Sequence, residues 1–429
     1  MMAVLAGVTA ILTVVGLVQG LAAAWLVSSF IRRPREAPSN RPAVTVLKPL
    51  HGDEPLLEEA LTSLCRQDYP TWQIVFGVQD AADPAVAVVR DLQARFPGVD
   101  IALVIDPAVH GANRKVGNLI NMFPSARHGV LVIADSDVHV RPDYLDRLVA
   151  TLQQQSIGQP QKIGQQPRIG QQPQVGLVTT LYAGLPVPGA PAVTRAGTAT
   201  LWGRLGATQI THGFLPGAVL ARALGRQDCL GATMCLRRDD LERIGGFRAL
   251  AGHLADDNVL GRRIAALGLR VALADTVPLT TVPEATFAAL FRHELRWART
   301  IRALEPLGFA ASVLQYPLAW ALLTIGLACG TLWSIGLFSI VWVLRAVAAL
   351  AVDSALAPLW AKGRGGPGRS NEYAALAFCC PVWLLPLRDL LSVTVMLVSY
   401  GGRQVDWRGH GLRADTPPPF TERSVTPRL

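Results

Sequence analysis

Charge is scarce in this sequence. Charged residues make up 17% of the 429, against 50% hydrophobic, a balance that excludes an ordinary soluble protein of this length. Two stretches hold no charge at all: Met1 to Ile31, and the 39 residues from Pro306 to Leu344. A membrane-crossing helix needs about 20 apolar residues, so the first stretch predicts one N-terminal transmembrane helix. The second predicts the start of two to three C-terminal membrane helices over 306–400, with a tail at 401–429. The first stretch has no charged residue ahead of its apolar run and no small-residue cleavage site, which predicts a retained anchor rather than a signal peptide.

Lysine is nearly absent: 36 of the 40 basic residues are arginine. The net charge is +9, yet no basic run resembles a nucleic-acid arm. Nucleic acid is therefore excluded as a partner, and an anionic lipid bilayer is the expected one. The six cysteines (65, 229, 235, 329, 379 and 380) have no metal-type spacing and read as reduced or buried. Arg32, Arg33 and Arg35 follow the first helix, so the positive-inside rule puts the next domain in the cytoplasm. A break at Gly326 to Gly330 divides the second apolar block into helices near Pro306–Leu327 and Thr331–Val352. The basic loop from Lys362 to Arg369 returns the chain to the cytoplasmic side. Tyr373 to Tyr400, interrupted by Pro381, Pro386 and Arg388-Asp389, is open to three readings: a crossing, a re-entrant hairpin or an interfacial segment. A single crossing would put the tail outside, whereas the five arginines after Tyr400 favour the inside.

Between the apolar ends lies one α/β domain, 41–300. Strands are expected at Val44–Leu47, Gln73–Val78, Ile101–Ile105 and Leu131–Ala134, with helices at Glu54–Cys65, Ala85–Arg95 and Val116–Met122. Such alternation predicts a mainly parallel, Rossmann-like sheet whose ligands sit beyond the carboxyl ends of the strands. A Gln- and Pro-rich hexapeptide repeat between 153 and 175 reads as a flexible surface insertion. Leu201 to Leu224, with few charges, reads either as a membrane-lying helix or as a buried core helix.

The apolar run Val130 to Ala134 ends in Asp135-Ser136-Asp137. Carboxylates two residues apart on a strand share a face, and together can hold one hard divalent cation, Mg²⁺ or Mn²⁺, which in turn can hold a diphosphate. Asp80 ends another strand, Asp256-Asp257 follows the Gly245-Gly246-Phe247 turn, and His293-Glu-Leu-Arg296-Trp297 precedes the second apolar block. Asp256 reads as a helix N-cap. His51 and His139 read as solvated or core histidines. Two of the four lysines, Lys48 and Lys115, fall near these sites, where a compact ammonium would suit a phosphate.

The order of Lys48-Pro-Leu-His-Gly52, Asn118-Leu-Ile-Asn121, Ala134-Asp-Ser-Asp137, Leu254-Ala-Asp-Asp257 and His293-Glu-Leu-Arg-Trp-Ala-Arg-Thr300 resembles the inverting, membrane-anchored GT-A glycosyltransferases of the ceramide glucosyltransferase type. Bacterial members associated with hopanoid biosynthesis are the nearest likeness. The resemblance implies a UDP-sugar donor and a membrane-lipid acceptor, most specifically N-acetylglucosamine passed to a hopanoid polyol such as bacteriohopanetetrol. The alternative is glucose passed to ceramide or diacylglycerol. It also implies that Asp80 reads the nucleoside, Asp135 and Asp137 hold the metal, Asp257 is the base, and Arg296 and Trp297 close over the diphosphate and acceptor. Lys48, Lys115 and Asn118 fall in the matched donor-binding regions. The family motif usually begins with Gln or Arg where this chain has His293, which argues against a processive polymerase. The implied setting is a bacterial inner membrane, multi-pass, with the catalytic domain cytoplasmic. The contrasting reading is a lipid-binding scaffold on an inactive transferase fold, which predicts loss of one of Asp80, Asp135, Asp257 or Arg296; all four are present.

Overall fold

The computed structural model describes residues 1–35, 37–154, 173–188, 199–361, 369–402, 404–407 and 410–413. Most of the hexapeptide repeat and the end of the tail lie outside the described residues. The central sheet is built from β1 (Val44–Pro49), β2 (Trp72–Val78), β3 (Asp100–Ile105), β4 (Val130–Ala134), β6 (Val175–Thr179), β8 (Thr233–Arg237) and β9 (Arg270–Leu273). A smaller sheet holds β5 (Val138–His139), β7 (Ala183–Pro186) and β10 (Leu279–Val282).

The central order is β3-β2-β1-β4-β8-β6-β9. The β3-β2-β1-β4 half is parallel throughout, as continuous apolar strands such as Val130–Ala134 predict. β8 then enters antiparallel between β4 and β6, and β6 pairs parallel with β9. The sheet is thus mixed and mostly parallel, with an apolar core on each face.

Among the described residues, three helical segments are long and apolar enough to cross a membrane: Met2–Ile31, Leu332–Ala361 and Glu372–Ser399. The helix expected over Pro306–Leu327 is instead two pieces, Pro306–Gln315 and Pro317–Leu327, bent by 68°. Pro317 supplies the reason, since the residue before a proline avoids helical geometry and Tyr316 has φ −109° and ψ 66°. Leu332–Ala361 runs nine residues past the expected end at Val352. Its last turn is tied to the α/β domain, with the Trp360 indole donating to the Val277 carbonyl at 3.1 Å.

The 372–399 segment has both ends against the α/β half of the chain. Tyr373 packs edge-on against His139, and Arg302 donates to the Gly402 carbonyl at 2.6 Å. Its middle is reached by the Trp342 indole, which donates to the Val382 carbonyl at 2.9 Å. Both ends of this segment, Tyr373 and Gly402, are thus held against the α/β domain and the helix that follows it.

Leu201–Ala223 is helical throughout. Leu201–Gln209 and Leu215–Ala223 are joined by a π-turn at Ile210–Phe214. Leu215 and Val219 pack with Ala24 and Val27 of the first helix and Leu356 of the Leu332–Ala361 helix, so this stretch is the floor on which the membrane helices sit.

Candidate functional site

The carboxyl ends of β1, β2 and β4 open on one edge of the sheet. Asp135 and Asp137 fill the turn between β4 and β5, both half-buried. Asp135 accepts the Lys115 ammonium at 2.6 Å, and the same Nζ lies 3.7 Å from Asp256. Lys115 stands in the first turn of the Arg114–Met122 helix, which Asn113 caps by accepting from Val116 N at 3.1 Å. The Asn113 amide also donates to the Asp256 carboxylate at 3.2 Å and to the His253 carbonyl at 2.9 Å. Asn113 and Lys115 together join the β4 acids to the helix that carries Asp257. Burial lowers the Lys115 pKa, but the charges of Asp135 and Asp256 outweigh it and hold the ammonium above the usual lysine range.

Asp137 accepts from the Thr280 hydroxyl at 2.6 Å, and its carbonyl accepts from Thr281 N at 3.1 Å. Burial, then the neighbouring Asp135 charge, pushes its carboxyl up to about 6. Lys48 lies fully buried behind this pair, its Nζ donating to the Val138 carbonyl at 3.1 Å. Burial brings the Lys48 ammonium down to about 8, against the pull of Asp137 and Asp135. It meets the acids from the protein interior.

Asp257 is half-buried in the first turn of the Asp256–Ala266 helix and accepts from Asn258 N at 2.8 Å. Burial, then the charge of Asp256, pushes its carboxyl up to about 7, with Lys115 pulling the other way. The cap of this helix is Ala255, so Asp256 is not the expected N-cap: its carboxylate is turned to Asn113 and Lys115 instead. Gly231 makes room for Asp257, since a Cβ there would fall 2.9 Å from Oδ2.

Asp80 is exposed at the end of β2, accepting from Ala82 N at 2.9 Å. Asn118 is buried; its amide donates to the Gly77 carbonyl at 2.7 Å, and its side-chain oxygen has no hydrogen-bond partner among the described residues. That geometry fastens the Arg114–Met122 helix to β2. His51 is exposed, and His139 is a buried neutral histidine, bonded to Thr281 at 2.8 Å and lowered by burial to about 3.

Arg296 and Trp297 stand half-buried on the Phe287–Leu304 helix, which Thr286 caps. The helix is held on two sides. His293 bonds Glu284, after β10, and sets its ring edge on Trp297 with centroids 4.6 Å apart. Glu294, buried, takes two 2.7 Å bonds from Arg388 of the 372–399 segment. Trp297 packs against Ala207, Ile210 and Val282, a cluster that Tyr182 and Phe214 also join. Tyr182 is the bridge to the acids: burial, then the charges of Asp257, Asp135 and Asp137, raise its phenol.

No group of three or more His, Cys, Asp or Glu side chains is set for a metal among the described residues. Asp135 and Asp137 nonetheless fit a divalent cation of the kind that binds through one or two carboxylates and takes its remaining ligands from phosphate and water. Burial, then its neighbour's negative charge, raises Asp137, and a cation would remove the second of these.

Sequence reasoning passed over Asn113, Asp256 as a lysine partner, Gly231 and Tyr182. Asn113 carried a readable signal, an Asn directly before a helical run. The others are set by tertiary contacts.

The model for Glycosyl transferase family 21 matches residues 8–164 and 168–418. Ceramide glucosyltransferase 3 of Caenorhabditis elegans is 23% identical over 270 residues, covering 62% of this chain and 52% of that protein. The ceramide glucosyltransferase of Komagataella phaffii is 32% identical over 127 residues, 29% of this chain and 25% of that protein. The chain spans about half the length of the Caenorhabditis relatives it matches. Among solved structures, a mannosyltransferase from Pyrobaculum calidifontis in complex with GDP-Man and Mn²⁺ aligns over 92% of this chain and 99% of its own, at 19% identity and a TM-score of 0.48.

Proposed function

The chain belongs to glycosyl transferase family 21, and on that premise we propose that it moves a sugar from a UDP-sugar to the hydroxyl of a membrane lipid, with inversion. The observation that carries the reading is Asp257. Burial and Asp256 push its carboxyl up to about 7, and Lys115 joins its neighbour Asp256 to Asp135 in the same cleft. A base works best with a pKa near the operating pH.

In this reading Asp257 takes the proton of the attacking lipid hydroxyl. Lys115 and Arg296 meet the charge that develops on the leaving diphosphate. Asp135 and Asp137 would hold Mg²⁺ or Mn²⁺, which when bound neutralises diphosphate charge. Lys48 acts through these acids rather than on the donor. Asp80 is exposed at the cleft edge, open to a nucleoside. Trp297 and Tyr182, packed on the same Ala207–Ile210–Val282 cluster, would offer the acceptor an apolar wall.

The curated relatives are ceramide glucosyltransferases, which supports glucose and a ceramide-type acceptor ahead of the N-acetylglucosamine-to-hopanoid transfer expected from the sequence. Arg32, Arg33 and Arg35 after the first helix support a cytoplasmic catalytic domain, and the likeness to bacterial members an inner-membrane setting.

The test is lipid mass spectrometry after full-length protein in vesicles containing ceramide, diacylglycerol and bacteriohopanetetrol is given UDP-glucose or UDP-N-acetylglucosamine with Mg²⁺ or Mn²⁺. A hexose added to ceramide supports the reading. An N-acetylhexosamine added only to the hopanoid restores the alternative. UDP release without any glycolipid defeats lipid transfer, and neither product nor UDP release favours the scaffold.

A further inference from the structure

Beside the cytoplasmic end of the first helix lies a cavity of about 750 Å³, apart from the acid-lined cleft. Its wall includes β9, three strands beyond β4 in the sheet, or about 14 Å at the usual strand spacing. Leu26 and Phe30 of the first helix and Val219 of the Leu215–Ala223 helix give it an apolar side. Arg33, Arg222, Arg226 and Arg270 give it a cationic one, and Asp275 is the one acid among the described lining residues.

The charges in this wall do not cancel. Arg226 is paired with Asp228 at 2.7 Å and Glu305 at 3.0 Å, and Asp275 faces Arg147 at 3.6 Å. Arg33, Arg222 and Arg270 have no carboxylate partner among the described residues. Arg222 spends one amine on the Val271 and Arg226 carbonyls, Arg270 donates to the Pro173 carbonyl, and Arg33 lies 5.4 Å over the Phe30 ring.

Depth identifies the occupant. Val4, Val8, Ile11, Val15 and Val18 are exposed on the first helix and mark its lipid-facing stretch. Trp25, 68% exposed, stands at the level where tryptophans gather at a bilayer surface. Arg33 follows about 12 Å further along, at 1.5 Å per residue. A cavity that begins at Leu26 and ends at Arg33 opens at headgroup level, apolar toward the acyl chains and cationic toward the phosphates.

We propose that this cavity holds the headgroup of an anionic phospholipid, its phosphate among Arg33, Arg222 and Arg270 and its chains along Leu26 and Phe30. This lipid is distinct from any acceptor, and the site does not depend on the transferase reading.

The experiment is native mass spectrometry of the full-length protein in detergent with equal phosphatidylglycerol and phosphatidylcholine. Wild type retains phosphatidylglycerol in preference to phosphatidylcholine. Arg33→Gln, at an exposed position, weakens that retention about fivefold, and Arg33→Gln/Arg270→Gln weakens it further by a similar factor, as expected for about 1 kcal/mol per arginine. Phosphatidylcholine retention is unchanged, and millimolar inorganic phosphate does not displace the lipid. Equal retention of both lipids by wild type, wild-type retention by folded Arg33→Gln, or displacement by phosphate would each overturn the assignment.

Discussion

Lowering the pH should switch this enzyme off at a point set by one carboxyl. As the proposed base, Asp257 would work only when ionised, and burial together with Asp256 holds its pKa at about 7. The ionised fraction is then about 0.9 at pH 8 and about 0.1 at pH 6, so the transfer rate should fall about tenfold between them. The direction follows from the sign of the shift: the raised pKa keeps the proton on as pH falls, and activity is lost on the acid side. Asp256→Asn removes the neighbouring charge that helps to raise Asp257 and leaves Lys115 to pull it down. The acid limb should move to lower pH, by about one unit for each ~1.4 kcal/mol of repulsion removed. Asp137, at about 6, adds a second limb, and the two are separable. Its limb should move down as Mg²⁺ or Mn²⁺ is raised, whereas the Asp257 limb should not. The assay is UDP release at saturating donor and acceptor, pH 5 to 9, at several metal concentrations. A wild-type acid limb below pH 5, or an Asp256→Asn limb displaced upward, would refute the assignment of Asp257 as base.

Asp257→Asn should lose about 10²–10⁴-fold in turnover while keeping donor affinity, read by calorimetry with UDP-sugar. The same change should raise the thermal midpoint at pH 8, because an ionised Asp257 opposes folding increasingly as pH climbs from its unfolded value toward about 7. Gly231→Ala would put a Cβ 2.9 Å from the Asp257 carboxylate, and should cut turnover at least about tenfold with donor affinity retained. Asp135→Asn should abolish metal-dependent donor binding and free Lys115 to approach Asp256, detected as loss of any Mn²⁺ effect on UDP affinity. Arg388→Met should cost about 3–5 kcal/mol by stranding Glu294, and Glu294→Leu/Arg388→Met should recover most of it in detergent unfolding curves.

Much of the parallel half-sheet could be read from the chain. β1, β2 and β4 are buried apolar runs, and the helices Leu57–Cys65, Ala85–Arg95 and Arg114–Met122 fall within three residues of their expected bounds. Strands β5 to β10 were not legible, being short and set by pairing with distant strands rather than by their own pattern. The 372–399 segment is open in sequence because hydropathy measures length, not direction; the contacts of Tyr373 and Gly402 hold both its ends against the α/β half. At the site, the acids could be seen as residue types, but their coupling could not. Nothing near Asp257 in sequence announces that Lys115 reaches Asp256, or that Asn113 holds it in place. The sequence also offered Lys48 as a donor contact, and the structure buries it behind the acids.

The doubly bonded Glu294–Arg388 pair also bears on how this protein can be handled. A fragment ending near residue 305 would keep every acid of the cleft yet leave Glu294 charged and unanswered, beside the bared apolar flank of Leu290 and Ala298. Such a soluble excision should aggregate, and its inactivity would say nothing about chemistry. The Glu294–Arg388 pair ties the α/β half to the hydrophobic half, so preparations of the whole length in detergent or lipid keep that contact.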